Sequence, residues 1–354
     1  MDPTRLIPQA LPIPVEWGWF YLFQVVTFIL HILVMNIMLG ASIIALVHHL
    51  RGRKETEGLT KTISVKLPFT VAFAVNFGVA PLLFMQVLYG QFLYTSSVLM
   101  AVYWLGVVGL IILAYGSAYI YDFRYAALGG LKTFFIGLTA LSLLFVAFIF
   151  TNNMTLMLRP EVWAAHLDNG GGTLLNLDDP TILPRYLHIV ASSVAVAGLA
   201  LALLYDRRKD DPEARRWVRH GVNWYAFATM VQMALGLWFL TALPEPVMRL
   251  LLGGSLPHTL IFAAGAILGI FSISNALRYN VGTTALLSLT TISLMVYLRD
   301  MVRDAYLAPH FRVDERVVTG EYLPFVLFVL TLLAGLAVVA WMLRAAAQDK
   351  EVRS

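Results

Sequence analysis

The sequence predicts an all-α fold: a polytopic membrane helical bundle of nine transmembrane helices. Three observations predict it. Of 354 residues, 59% are hydrophobic and 13% charged, against about 25% charged in soluble domains. Windows of roughly twenty apolar residues, long enough to cross a ~30 Å hydrocarbon layer as helix, can be placed nine times. The connections between them are short apart from 158–182 and 308–321, so the chain reads as a single transmembrane domain over 1–354.

The spans follow in order. Span 1, near 18–48, runs about thirty residues with no basic leader and no small-residue cleavage site, so it is expected to be retained rather than cut as a signal peptide. Span 2 lies near 67–94, and span 3, near 97–120, contains no Asp, Glu or His. Spans 4 and 5, near 131–157 and 183–205, flank the segment "LRPEVWAAHLDNGGGTLLNLDDPTI", which reads as a solvated loop or as an ordered cap. Span 6, near 217–243, follows the basic stretch "YDRRKDDPEARRWVRH". Spans 7, 8 and 9 lie near 257–277, 283–307 and 322–345.

Lys and Arg in short loops set orientation. Most of the 25 basic residues, including Arg51, Arg53, Lys54, Lys61 and Lys66 and the six within 207–219, fall on one side if the N-terminus is outside. An outside N-terminus and a cytoplasmic C-terminus are therefore expected, in a bacterial or archaeal cytoplasmic membrane. Anionic lipid is a secondary partner for those clusters, and no nucleic acid is expected.

With no cysteine, the chain forms no disulfide, ligates no iron–sulfur cluster and attaches no c-type haem covalently. The carboxylates all fall in loops or near span ends, which argues against a proton-coupled transporter. Histidine is distributed differently. His31, in "TFILHILVMN", lies about fourteen residues into span 1, roughly 20 Å along the helix. His188 and His258 lie near the outer ends of spans 5 and 7. A neutral imidazole with a partner on its other ring nitrogen is a good iron ligand; a hydrogen-bonded structural role is the alternative, and His258 could simply cap its helix. His48, His49, His166, His220 and His310 lie in or beside loops and read as solvated.

The order of residues resembles subunit I of the cytochrome bd quinol oxidase superfamily, as a divergent member. "QVVTFILH" places Gln24 before His31 as the family places a Gln before a haem-ligating histidine, and "GVAPLLFMQVLYG", 78–90, matches a family spacing in span 2. "RYLHIVASSVAVAG" parallels the family's "HTVASGYVTGA", which implies that His188 ligates a low-spin haem b. "RDMVRDAYLAP" stands where the family has "GRQPW", implying a quinone site at Asp300, Arg303 and Tyr306. "TGEYLP" sets Glu321 where a glutamate ligates a high-spin haem.

Departures shape the expectation. Gln86 replaces a family glutamate, span 3 lacks the paired glutamates, the quinol loop shrinks to "PEPVMRLLLGGS", and span 7 lacks the methionine that opposes the low-spin histidine. Oxygen reduction is thus not expected, and His258 becomes the candidate partner of His188. The resemblance implies one to three b haems held by His31, His188, His258 and Glu321. The subunit would carry electrons between the quinone pool and an outer-face partner, a c-type cytochrome or a metalloenzyme, within a larger membrane complex. A bd-type quinol:oxygen oxidoreductase and a haem-free anchor subunit are the alternatives.

Overall fold

The computed structural model describes residues 3–52, 54–167, 170–208 and 211–352. Among these, nine helices are long and apolar enough to cross a membrane, and the protein is a multi-pass membrane protein. They are α1 (Trp17–Leu50), α2 (Glu57–Leu99), α3 (Ala101–Phe123), α4 (Leu131–Leu156), α5 (Ile182–Asp206), α6 (Pro212–Ala242), α7 (Leu256–Leu277), α8 (Val281–Leu307) and α9 (Tyr322–Val352). Arg53 and Lys209, two of the basic residues used to orient the chain, and Asp168 and Asn169 of the longest loop lie outside the described residues; so does the side chain of His166.

Two helices start earlier than their apolar content predicts. α2 begins at Glu57, ten residues before the predicted start at 67, and tolerates Pro68 and Pro81 before a kink at Tyr89, whose φ of −130° leaves the helical region. α6 begins at Pro212 because Asp211 caps it: the Asp211 carboxylate accepts from the Glu213 N–H at 2.9 Å, and proline suits the first helical position. In both cases polar residues continue the helix beyond the apolar stretch, where hydropathy carries no signal.

Between membrane helices, close approach of backbones replaces the hydrophobic effect as the packing force. α1 meets α5 at Gly40, where a Cβ would lie 1.9 Å from the Ser193 carbonyl oxygen. α5 meets α6 at Gly198 and Gly221, where a Cβ on Gly221 would lie 2.5 Å from the Gly198 carbonyl. Beside the first crossing, Ser193 donates to Asn36 Oδ1 at 2.8 Å, and the Asn36 amide donates to Ser192 at 3.3 Å. Farther along α6, the Tyr225 hydroxyl bonds both Ser272 and Ser288 at 2.6 Å, tying α6 to α7 and α8.

The end of the bundle where α1 begins, here the N-terminal end, is closed by ordered chain. Ile13 pairs with Val317 and Thr319 by backbone hydrogen bonds of 2.8 and 2.9 Å, and Arg316 donates to the Leu88 and Leu11 carbonyls. The described residues of the loop after α4 form an ordered cap. Trp163 is buried with its indole N–H on the Leu156 carbonyl, and Asn176 is bonded by Arg159, Asn152 and Asp179. α9 stands apart. Its apolar stretch is exposed all round, and it meets the bundle through Phe325 against Trp19 and Phe23, and Phe328 against Phe23 and Phe84.

At the opposite, C-terminal end the histidines expected to be solvated are packed. His48 is 3% exposed, with its Nε2 2.9 Å from that of His220, and His49 Nε2 lies 2.8 Å from the Tyr121 hydroxyl. They lie at the margins of spans 1 and 6, where residues that look loop-adjacent in sequence face other helices.

Candidate cofactor site

His31 and His188 lie on different helices yet are held in the same way. His31 Nδ1 is 3.0 Å from the Ala74 carbonyl of α2, and four residues on, Gly78 leaves room for the ring: a Cβ there would fall 2.9 Å from His31 Cε1. His188 Nδ1 is 3.0 Å from the Gln232 carbonyl of α6, and four residues on, Gly236 does the same, with a Cβ 3.2 Å from His188 Cε1. Each Nδ1 therefore carries its proton toward a main-chain oxygen, and each Nε2 holds the lone pair. A backbone carbonyl accepting from one ring nitrogen is the support that a metal-bound imidazole normally has on its other nitrogen. The Gln232 amide Nε2, 3.3 Å from His188 Nε2, is the one polar group beside that lone pair among the described contacts.

A belt of charge lies about one turn nearer the N-terminal end. Arg299 stacks on Phe28, 4.4 Å from its ring centre, three residues before His31. Arg185, three residues before His188, stacks on Phe239 at 4.7 Å, and its Nε and Nη2 are buried with no hydrogen-bond partner. Arg303, 5% exposed, pairs with the fully buried Asp300 at 2.9 Å and stacks on Tyr89 at 4.2 Å. The Tyr89 hydroxyl donates to Asp304 at 2.5 Å and accepts from Arg303 at 3.3 Å. Gln24, fully buried, has no partner for either amide atom. Orphaned polar atoms in a membrane interior are costly; here they cluster on the side of the histidines that faces the N-terminal end.

Of the residues singled out by sequence, Asp300 and Arg303 are brought together, with Tyr306 half-buried one turn on and within electrostatic reach of Arg185. His258 sits in the first turn of α7 with Nδ1 2.7 Å from the Ser255 hydroxyl, as a residue at a helix start does. Glu321 is exposed at the N-terminal end, its N–H on the Pro14 carbonyl and its neighbour Tyr322 bonded to Glu16. His31 lies fifteen residues beyond Glu16, which is ~22 Å along α1. Glu321 and His31 would have to serve different irons.

Sequence reading missed Gln232, Gly236 and Ala74. Gln232 carried a signal, a lone amide inside "TMVQMALG"; the carbonyls carried none, because every residue has one.

Among the described residues no three His, Asp or Glu side chains gather as a metal site. Single imidazoles with apolar surroundings and nearby arginines suit an iron whose remaining ligands come from a porphyrin, whose carboxylates the arginines would meet. The donor set, two cradled imidazoles and the unpartnered guanidinium nitrogens of Arg185, fits a haem.

No protein-family model matches this chain, and no curated protein matches it. Among solved structures, the chain is similar to the bd oxidase from Geobacillus thermodenitrificans, at 13% identity over 96% of each chain with a TM-score of 0.71. It has the fold of a bd oxidase chain.

Proposed function

We propose that this chain is a haem b-bearing membrane subunit of a respiratory complex, in which His188 and His31 each present Nε2 to a haem iron. The observation that carries the reading is the repeated cradle: Nδ1 on a backbone carbonyl, with a glycine four residues later making room for the imidazole edge. Bound haem would supply a one-electron couple in apolar surroundings. The Ala74 and Gln232 carbonyls fix the ring tautomer and raise the basicity of Nε2. Arg185 and Arg299 offset the negative charge of the porphyrin carboxylates at the N-terminal end. His258, on the helix that packs beside α6, would be the second residue to hold the haem of His188.

For quinone, Tyr306 is the half-buried member of its trio, backed by the Asp300–Arg303 pair, in which Arg303 also donates to the Tyr89 hydroxyl and Asp300 also pairs with Arg299. A headgroup entering at this end would meet Tyr306 first. Electrons would pass between quinone and a redox partner, a c-type cytochrome or a metalloenzyme, on the N-terminal face, which the bias of Lys and Arg in the loops predicts to be the outer one.

The spectrum of the purified protein, with pyridine-haemochrome typing, tests the reading. One to three b haems are expected, with His188→Ala removing the low-spin signal, His31→Ala a different one, and His258→Ala shifting the low-spin signal. A protein with no Soret band defeats every haem reading and leaves the anchor subunit. Oxygen uptake with quinol by the purified protein would replace the electron-transfer reading with that of an oxidase.

A further inference from the structure

At the C-terminal end of the bundle, α6 presents Arg215, Arg216, Arg219, His220 and Asn223 around a cavity of about 460 Å³. Across the loop Glu55 pairs with Arg216 at 2.5 Å. Arg216 and Arg219 are held against the rings of Trp217 and Tyr279, 5.2 and 5.5 Å from their centres. The His220 wall is fixed as well, since the Trp224 indole N–H donates to its Nε2 at 3.0 Å and His48 Nε2 lies 2.9 Å away. Two braced guanidiniums, with Arg215 lining the same cavity, are a binding arrangement for a phosphate anion, because Arg matches phosphate oxygens with paired N–H donors.

The same face of α6 continues into the apolar layer. Four and seven residues beyond Asn223 stand Phe227, 65% exposed, and Met230, 48% exposed, with Val231 beside them. Positions at i, i+4 and i+7 lie one above another on a helix. The face therefore runs from cationic to apolar over about two turns, which is the anatomy of a phospholipid: an anionic head, then acyl chains.

We infer that this cavity is a binding site for the phosphodiester headgroup of an anionic phospholipid, whose chains lie along Phe227 and Met230. The site is independent of haem binding.

Native mass spectrometry of the full chain with added phosphatidylglycerol, phosphatidylcholine or inorganic phosphate tests it. Phosphatidylglycerol is expected to be retained at least tenfold better than phosphatidylcholine. The Arg215→Gln/Arg219→Gln variant should lose about tenfold or more in that retention, on the scale of basic residues at anionic surfaces. Arg344→Gln, at the same end of the bundle but outside the cavity, should lose nothing. Equal retention by the double variant overturns the inference. Displacement of the lipid by millimolar inorganic phosphate overturns the lipid assignment in favour of a soluble phosphate. Should the double variant not fold, Arg219→Gln alone, an exposed position, makes the same comparison.

Discussion

Replacing Gly78 by alanine separates the haem reading from a purely structural role for His31. The new Cβ would lie 2.9 Å from His31 Cε1 and 3.1 Å from Nδ1, where contacts of about 3.4 Å are comfortable. The imidazole must retreat by roughly 0.5 Å, which stretches the 3.0 Å bond to the Ala74 carbonyl to about 3.5 Å, the limit of a hydrogen bond. Weakening a buried bond costs about 1–2 kcal/mol, and alanine in a helix returns roughly 0.5–1 kcal/mol over glycine. Net stability should therefore fall by about 1 kcal/mol or less, within reach of a thermal melt but small. A functional site, in contrast, is held to about 0.5 Å, so the spectrum or midpoint potential of the His31 haem should change clearly. At Gly236 the corresponding approach is 3.2 Å, which asks the ring to give only ~0.2 Å, and Gly236→Ala should be nearly silent in both measurements. A Gly78→Ala protein that melts lower but keeps its reduced-minus-oxidised spectrum and potentials would refute the argument, as would a larger spectral effect at Gly236.

Three further outcomes follow from the packing. Asp300→Asn should destabilise the bundle by about 3 kcal/mol, because it removes the fully buried carboxylate shared by Arg303 and Arg299 and leaves Arg303 only Asp304 at 3.9 Å, and a thermal melt checks this. Gly221→Ala sets a Cβ 2.5 Å from the Gly198 carbonyl, backbone that cannot step aside, so a loss of about 3 kcal/mol or failure to accumulate in the membrane is expected. The Tyr322 hydroxyl holds the exposed Glu16 carboxyl below its ordinary range. Its contribution to closing the N-terminal end is thus present at neutral pH and is lost as pH falls through that lowered value; Tyr322→Phe should move the titration up toward an ordinary glutamate, read by carboxyl NMR or infrared.

The nine spans were legible because a membrane helix must satisfy its backbone internally and hide little polar side chain, so apolar length alone marks it. Their ends were not: Glu57–Val65 of α2 and Pro212–Arg216 of α6 are helical outside the apolar layer, and only the Asp211–Pro212 cap hinted at this. His31 and His188 were legible as the polar exceptions in apolar runs. Their cradles were not, since a carbonyl oxygen has no sequence and Gly78 or Gly236 gains meaning only from the imidazole opposite. The same limit explains His48 and His220, which lie 172 positions apart and become partners only when α1 and α6 cross.

Helix position alone also misjudged depth. Counting from Trp17 puts His31 ~21 Å down α1, and counting from Ile182 puts His188 only ~9 Å down α5. Packing gives a different comparison. Phe28 touches Arg299 three residues before His31, Arg185 precedes His188 by three residues, and the two arginines lie within electrostatic reach of each other. Both imidazoles therefore stand about one turn below a single arginine belt, at similar depth, and α1 simply begins farther out than α5. One belt can serve the carboxylate edges of two haems only if the haems lie side by side rather than stacked across the membrane. Removing Arg299, which stacks on Phe28 beside His31 and lies within electrostatic reach of Arg185, should then shift two midpoint potentials, where a stacked arrangement predicts a shift in one.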